Sequence, residues 1–341
     1  MFLMMQNMEE IQNYLRLALE QRSFLSESVH SQALRLFNGF AEGCPELVVE
    51  VFADTLVLYD YSLAGNGPFI ESVREWYLER LPWVQTVLWK QRNAALPAQR
   101  AGVLIFGEHL ATQIEEDGVL YALDLQLNRD ASFYLDTRFL RNWLHENMQG
   151  KHVLNLFSYT GSLGVAALAG KAKRIVQSDI NPRFINLART SYRLNGFPVS
   201  KADFLVEDFF KAVSRFKQGG KLFDCVILDA PFFSQTNAGR VDLLQDSQRL
   251  IQKVRPLVAH NGWLIVVNNA LFLSGAEFLS NLEQQCAGGY LQIEQMISIP
   301  EDICGYSQTE ANSYPADPTP FNHPTKIAIL KVKRKDFRTA G

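Results

Sequence analysis

Three carboxylates stand at the ends of three apolar, β-rich runs. Asp179 closes "RIVQSD", Asp208 closes "FLVED" and Asp229 closes "FDCVILD". Upstream of them lies the turn "NLFSYTGSLG", Asn155 to Gly164, with glycines at 161 and 164. Glycine lets a backbone approach a ligand closely, and the start of the following helix offers free N–H groups. An acid where Asp179 stands can accept hydrogen bonds from a ribose diol. Asp208 can accept from an adenine amino group while Phe209 or Phe210 packs the ring. Each acid also has a plainer use, as a helix N-cap. Acids at three successive strand ends, behind a glycine turn, fit an adenosine-bearing ligand better than any one of them does. A nicotinamide enzyme shares the turn and the first acid but has no need of the others.

The stretch "DAPFF", Asp229 to Phe233, adds a stiff proline and two rings to the last of these acids. Pro231 fixes the backbone there, and Phe232 or Phe233 offers a face to a planar base. One of the two is expected in the core, since adjacent side chains cannot point the same way. The next β-rich run ends in "VVNNA", where Asn268 and Asn269 could hydrogen-bond a purine edge or cap a helix. The four cysteines, Cys44, Cys225, Cys286 and Cys304, show no metal spacing, so reduced thiols and no metal are expected.

These residues need a scaffold. Residues 1–30 read as a helix with Ile11, Leu15 and Leu19 on one face, a cap without activity. In 31–125, "ELVVEVF" and "TLVLYDYS" flank Ala53 and Asp54 as a hairpin, followed by the helix "PFIESVREWYLERL" and the strands "VQTVLWKQR" and "VLYALDLQL". That is a small α/β domain, expected to recognise substrate. From about residue 150 strands and helices alternate strictly, which implies a parallel sheet covered on both faces. The last two strands, "YLQIEQMIS" and "TKIAILKVK", have no helix between them and suggest an antiparallel hairpin at one edge. The expected fold is therefore α/β, a Rossmann-like sheet with a closing antiparallel hairpin, in a domain of residues 126–341. Ligands of such sheets bind beyond the carboxyl ends of the strands, where strand order reverses.

The chain has 341 residues, 47% hydrophobic and 20% charged, and a net charge of -3. No global basic field marks a nucleic-acid binder, so any RNA contact must be local. "KIAILKVKRKDFR", Lys326 to Arg338, is one basic patch, or a solvated edge strand. No run is long and apolar enough to span a membrane, and "MFLMMQNMEE" turns acidic too soon for a signal peptide, so a cytoplasmic protein is expected. "YPADPTPFNHPTKIAIL" reads as a stiff loop or a lid, and His323 alone is no sign of a catalytic base.

"LRLFNGFAEGCPELVVEVF", "NRDASFYLDTRFLRNWL", "LNLFSYTG" and "DAPFF", with the terminal hairpin, resemble class I S-adenosylmethionine-dependent methyltransferases. More narrowly, the chain is similar to the bacterial 23S rRNA large-subunit methyltransferases of the I and K types, over roughly residues 31–335. The resemblance implies S-adenosyl-L-methionine as cofactor and ribosomal RNA as substrate, with no membrane or metal partner and a homodimer left open. It implies that Phe157, Ser158, Tyr159, Thr160 and Gly161 line the methionine and ribose. Asp179, with Ile180, would hold the ribose, and Asp208, with Phe209, the adenine. Phe133, Asp136 and Arg138 would close over the cofactor. Asp229, Pro231 and Phe232 would face the acceptor, joined by Asn268. The chain departs from the family in three places. Residues 1–30 replace the RNA-binding PUA domain of the I type, "NRDAS" replaces "GQKTG", and "DAP" replaces "DPP".

Methylation of cytosine carbon 5 needs a thiolate to attack carbon 6. In such family members the cysteine follows "DAP" or "DPP" directly, or ends the next strand. Here those places hold Phe232 and Asn268–Asn269, while Cys225 lies inside its strand. "VVNNA" resembles the "SNN" of the K type, which methylates N7 of guanine. A ring nitrogen with a free lone pair needs positioning only. A base nitrogen of RNA is therefore the expected acceptor. A small-molecule or protein substrate, and a cofactor-binding scaffold without turnover, are the competing expectations.

Overall fold

The structure is a computed structural model, and it describes residues 8–22, 29–63, 65–236, 239–306 and 323–334. The stretch "YPADPTPFN" and the end of the basic tail lie outside the described residues. Contacts divide the chain into two compact units, Met1–Leu135 with Pro300–Thr319 and Asp136–Ile299 with Pro320–Gly341.

In the first unit, five strands lie side by side in sequence order: β1 (Ala33–Asn38), β2 (Leu47–Phe52), β3 (Thr55–Asp60), β4 (Thr86–Gln91) and β5 (Val103–Phe106). All neighbours are antiparallel except β3 and β4, which the helix connecting them makes parallel. The β2–β3 turn is the expected hairpin, with Phe52 opposite Thr55 and Ala53 in the left-handed region at φ 49°. Helix α1 (Met8–Gln21) buries Ile11, Leu15 and Ala18, and α2 (Gly39–Glu42) is a single turn. Helix α3 (Gly67–Arg80) buries Ile70, Val73, Trp76 and Tyr77. Helix α4 (Pro97–Ala101) and a small hairpin, β6 (Gln113–Glu116) and β7 (Val119–Ala122), complete this unit's first segment.

The unit is closed by a helical turn, Glu301–Cys304, from much later in the chain. Arg22 is fully buried, and its guanidinium donates to both Glu42 oxygens at 2.9 and 3.0 Å and to the Asp302 carbonyl at 3.0 Å. The Asn38 side chain donates to the Ile303 carbonyl at 2.8 Å.

The second unit begins with α5 (Arg138–Asn147) and then alternates as expected: β8 (His152–Leu156), α6 (Ser162–Ala169), β9 (Arg174–Asp179), α7 (Pro182–Leu194), β10 (Phe204–Val206), α8 (Phe209–Gln218) and β11 (Phe223–Asp229). After β11 the chain makes a two-stranded ribbon, β12 (Phe233–Thr236) and β13 (Gly239–Asp242). Then come α9 (Leu243–Val254), β14 (Val258–Asn268), α10 (Gly275–Cys286), β15 (Leu291–Ile297) and β16 (Lys326–Val332).

The seven-stranded sheet runs β10-β9-β8-β11-β14-β16-β15. Its first five strands are parallel, and β16 is antiparallel to both neighbours. The closing hairpin is thus present, with its last strand inserted between β14 and β15. Strand order reverses between β8 and β11, so the tips of those two strands flank the crevice.

Two expectations are corrected here. The alternating pattern places one helix at "VDLLQDSQRLIQKVRPLV", residues 241–258, but these residues do not form one helix. Val241 is buried in the ribbon opposite Ser234, and Pro256 ends the helical stretch before β14 starts. The described part of the basic tail is also no free patch. Lys326 is buried, Lys331 pairs with Glu294 at 3.2 Å, and Arg334 donates to the Pro256 carbonyl at 3.0 Å. Among the described residues, no helix is long and apolar enough to cross a membrane.

Candidate functional site

The turn after β8 is held in an unusual backbone shape. Phe157 and Tyr159 have φ of 55° and 49°, and Gly161 has 81°. Two side-chain-bearing residues in this region cost about 1–2 kcal/mol each, so the surroundings must enforce them. Ser158 N–H donates to the Ser178 carbonyl at 2.9 Å, and Tyr159 N–H donates to Asp179 Oδ2 at 2.9 Å. Asp179 Oδ1 accepts from Asn181 N–H at 2.9 Å. Burial pushes the Asp179 carboxyl up, against these backbone donors that draw it down. The N-cap of α7 is Asn181, not Asp179.

The glycines are fixed by packing. A Cβ on Gly164 would stand 2.0 Å from Gln177 Nε2, and one on Gly161 would stand 2.6 Å from the Ala188 Cβ. Gln177 is fully buried, accepts from Asn155 Nδ2 at 2.9 Å and donates to the Gly161 carbonyl at 3.1 Å. Sequence reasoning missed Gln177, although an amide inside an apolar strand was a visible signal. Ser158 and Thr160 are buried, and Ser158 Oγ has no hydrogen-bond partner among the described residues.

At the neighbouring tips, Asp208 caps α8 by accepting from Phe210 N–H at 2.8 Å. The Phe209 ring lies in the core and stacks on Phe157, with centroids 4.7 Å apart and planes at 18°. Ile180, next to Asp179, is 55% exposed. Asp179, Ile180 and the Phe157–Gly161 turn are therefore gathered at the carboxyl ends of the neighbouring strands β8 and β9.

Across the strand-order reversal stands Asp229, half-buried at the end of β11. Burial, and then repulsion from Asp136, push its carboxyl up to about 7. Asp136 sits in the turn before α5. Its Oδ2 accepts from the Thr325 hydroxyl at 2.5 Å, and its Oδ1 is buried without a partner among the described residues. Arg138 opens α5 and is half-buried. Phe133 is buried against Tyr121 in the first unit, so "FYLDTR" straddles the division between the units.

Pro231 is half-buried, and Phe232 and Phe233 are 39% and 52% exposed. Neither ring is core, contrary to expectation, because the chain turns there into the β12–β13 ribbon. Phe232 faces Phe272 at 6.0 Å, a partner the sequence did not announce. Asn268, at the tip of β14, is 1% exposed. Its Oδ1 accepts from Ala270 N–H at 3.0 Å, while its Nδ2 has no partner among the described residues. It is not a helix cap, since Ser274 caps α10 in a reciprocal arrangement with Glu277. The turn after β14 is braced by Lys326 Nζ, which donates to the Ala270 and Leu273 carbonyls at 2.6 and 2.8 Å. Burial pulls that ammonium down to about 8. Cys225 is fully buried mid-strand, and burial pushes its thiol up.

The Asp229 carboxylate at the tip of β11, which feels the charge of Asp136 in the turn before α5, suits a cationic ligand. Asp179 and the Ser158 hydroxyl, which has no partner among the described residues, suit a polar sugar.

Comparison with known proteins agrees with this geometry. The sequence model of a family described as S-adenosylmethionine-dependent methyltransferase matches residues 91–304. The Ribosomal RNA large subunit methyltransferase I of Aeromonas salmonicida is 31% identical over 229 residues, which is 66% of this chain and 57% of that protein. The chain thus spans little more than half the length of the curated relatives it matches. Among solved structures, a candidate methyltransferase complexed with SAH superimposes with a TM-score of 0.82 at 22% identity, covering 96% of this chain and 82% of that one. A SAM-dependent methyltransferase from Agrobacterium tumefaciens gives a TM-score of 0.60 at 17% identity, covering 84% and 87%. These two share the fold. With the family match spanning β8 to β14, the chain belongs to the S-adenosylmethionine-dependent methyltransferase family.

Proposed function

We propose that this chain transfers a methyl group to a base nitrogen of ribosomal RNA, by N7-guanine-type chemistry and not by the 5-methylcytosine route. The residues present fit the cofactor. Asp179 would take the ribose hydroxyls, and Asp208 the adenine amino group. The Phe157–Gly161 turn would follow the methionine, with the Ser158 hydroxyl, which has no partner among the described residues, as a donor. Asp229 and Asp136 would face the positive sulfur. When bound, S-adenosylmethionine supplies a methyl on a cationic sulfur, which an acceptor lone pair takes in line as the carbon–sulfur bond breaks toward sulfur.

The observation that carries the choice of atom is the buried Nδ2 of Asn268, which has no partner among the described residues. The β11–β14 register pairs Asp229 with Val267, so Asn268 lies one residue beyond the acid. A buried amide donor left unmatched costs about 1–3 kcal/mol, and a carbonyl such as guanine O6 would satisfy it. Phe232 could stack on the same base. None of the four cysteines ends β11 or β14, which supports a route without thiolate attack at carbon 6. A nitrogen acceptor needs alignment alone. Support for ribosomal RNA as substrate comes from the relatives named as rRNA large subunit methyltransferases. A ribosomal substrate would put the protein in the cytoplasm, with the first unit recognising that substrate.

The test is transfer of tritium from labelled cofactor to ribosomal RNA of a strain lacking the gene, followed by mass spectrometry of nucleosides. Labelled 7-methylguanosine is expected. Labelled 5-methylcytidine would overturn the choice of atom. Unlabelled RNA, with cofactor binding intact, would overturn RNA as substrate.

A further inference from the structure

The turn after β14 takes its shape from the segment that leads into β16. Within the turn, Leu273 N–H reaches the Ala270 carbonyl at 3.3 Å, a long bond. The shorter ties come from outside. Lys326 stands opposite Asn268 in the β14–β16 register, and its Nζ donates to the Ala270 and Leu273 carbonyls at 2.6 and 2.8 Å. His323 N–H donates to the Leu271 carbonyl between them at 3.0 Å. Ala270 and Lys326 are both buried, so water does not compete for these bonds.

Ala270 in turn fixes the Asn268 amide. Its N–H donates to Asn268 Oδ1 at 3.0 Å. Turning that amide over would set Nδ2 against the same N–H, donor against donor. Nδ2, which has no partner among the described residues, is therefore the amide atom left to meet a ligand, and it can only donate. A donor at this place matches the oxygen at position 6 of guanine and opposes the amino group that adenine carries there. Two buried donors facing each other both stay unsatisfied, which disfavours the wrong purine about ten-fold or more.

We infer that Lys326 sets the choice of purine: by holding the Ala270 turn it locks the Asn268 amide as a donor, so the site takes a 6-oxopurine and refuses a 6-aminopurine. Lys326 acts through Ala270 and Asn268, which makes it a positioning residue. The inference rests on the proposed transfer to a guanine nitrogen and adds what keeps adenine out of the same pocket.

The test transfers tritium from labelled S-adenosylmethionine to ribosomal RNA of a strain lacking the gene, with the full chain as enzyme. It reads the share of label in methyladenosine against methylguanosine. For the wild type, nearly all label is expected in methylguanosine. Lys326→Met should lower total transfer and raise the methyladenosine share about ten-fold or more. Lys326→Gln keeps a donor and should move the share the same way by less. Asn268→Asp leaves Lys326 in place and exchanges the donor for an acceptor, so it should also raise the share. Calorimetric binding of S-adenosylhomocysteine at wild-type affinity shows that a variant folds. If Lys326→Met does not fold, Lys326→Gln and Asn268→Asp carry the test. Folded Lys326 variants that lose both nucleosides equally, or neither, would make Lys326 a brace of the fold alone. That result would overturn the inference and leave the guanine reading intact. An unchanged share in Asn268→Asp would show that the amide does not face the base, and would overturn the donor assignment with the inference. A wild-type chain that binds S-adenosylhomocysteine but labels no guanosine would overturn the guanine reading and the inference together.

Discussion

Thr325 donates its hydroxyl hydrogen to Asp136 at 2.5 Å, and Asp136 in turn raises the proton affinity of Asp229. The strand that closes the sheet thus fixes a carboxylate that tunes another at the tip of β11. Residues far apart in sequence meet where the methyl-transfer chemistry is proposed.

This coupling predicts a pH-dependent affinity. Asp229 titrates near 7 in the folded chain, so it is mostly protonated at pH 6 and mostly charged at pH 8. Binding of the cationic S-adenosylmethionine should tighten as pH rises through 7. Binding of the uncharged-sulfur product S-adenosylhomocysteine should change much less. Calorimetry at pH 6, 7 and 8 reads both, and parallel profiles would remove Asp229 from the sulfonium site.

The same group predicts the sign of a stability change. Its folded value lies above its ordinary 3.8, so between pH 4 and 7 the folded chain holds a proton that the unfolded chain has released. Stability should fall as pH rises through that window, by at most about 4 kcal/mol, a ceiling that solvent screening lowers. Asp229→Asn should flatten the profile in urea titrations. Asp136→Asn should shift the loss to lower pH, because it removes the repulsion.

Gly164→Ala should displace Gln177 and break its bonds to Asn155 and Gly161. A loss of about 2–4 kcal/mol is expected from overpacking and orphaned amides, together with weaker S-adenosylhomocysteine binding. Adding Gln177→Ala should restore part of the stability. If Gly164→Ala melts like the wild type, the close approach seen here does not govern the turn.

Arg22→Ala should destabilise the first unit by about 3–5 kcal/mol, because it leaves Glu42 charged and buried. Glu42→Gln should cost less, since an amide can still accept from Arg22. Chemical denaturation followed by tryptophan fluorescence separates the two. Equal losses would point to packing and not to charge.

Cys225→Ala should leave the methylated nucleoside unchanged, since the thiol is core and far from a thiolate's usual range. Loss of transfer with a normal melting curve would reopen the covalent route.

The alternating sheet was legible because buried parallel strands read as unbroken apolar runs between turn signals. Acids at strand ends were legible for the same reason, as each closes such a run. The β12–β13 ribbon was not, because "FSQT" and "GRVD" carry little apolar alternation and, among the described residues, form a sheet of two strands apart from the main one. The left-handed backbone at Phe157 and Tyr159 leaves no mark on residue type, and β9 imposes it through Ser178 and Asp179. Phe272 belongs to no sequence motif, and its contact with Phe232 depends on the chain returning beside "DAPFF".

The polypeptide leaves the second unit after Ile299, supplies Glu301–Cys304 to the first, and belongs to the second again at His323. Neither half can be excised by a single scission. A fragment of residues 1–135 would lack the carbonyls that Arg22 and Asn38 grip. Any shuffling of this architecture, natural or engineered, has to carry both pieces of the smaller half at once, which ties their inheritance together.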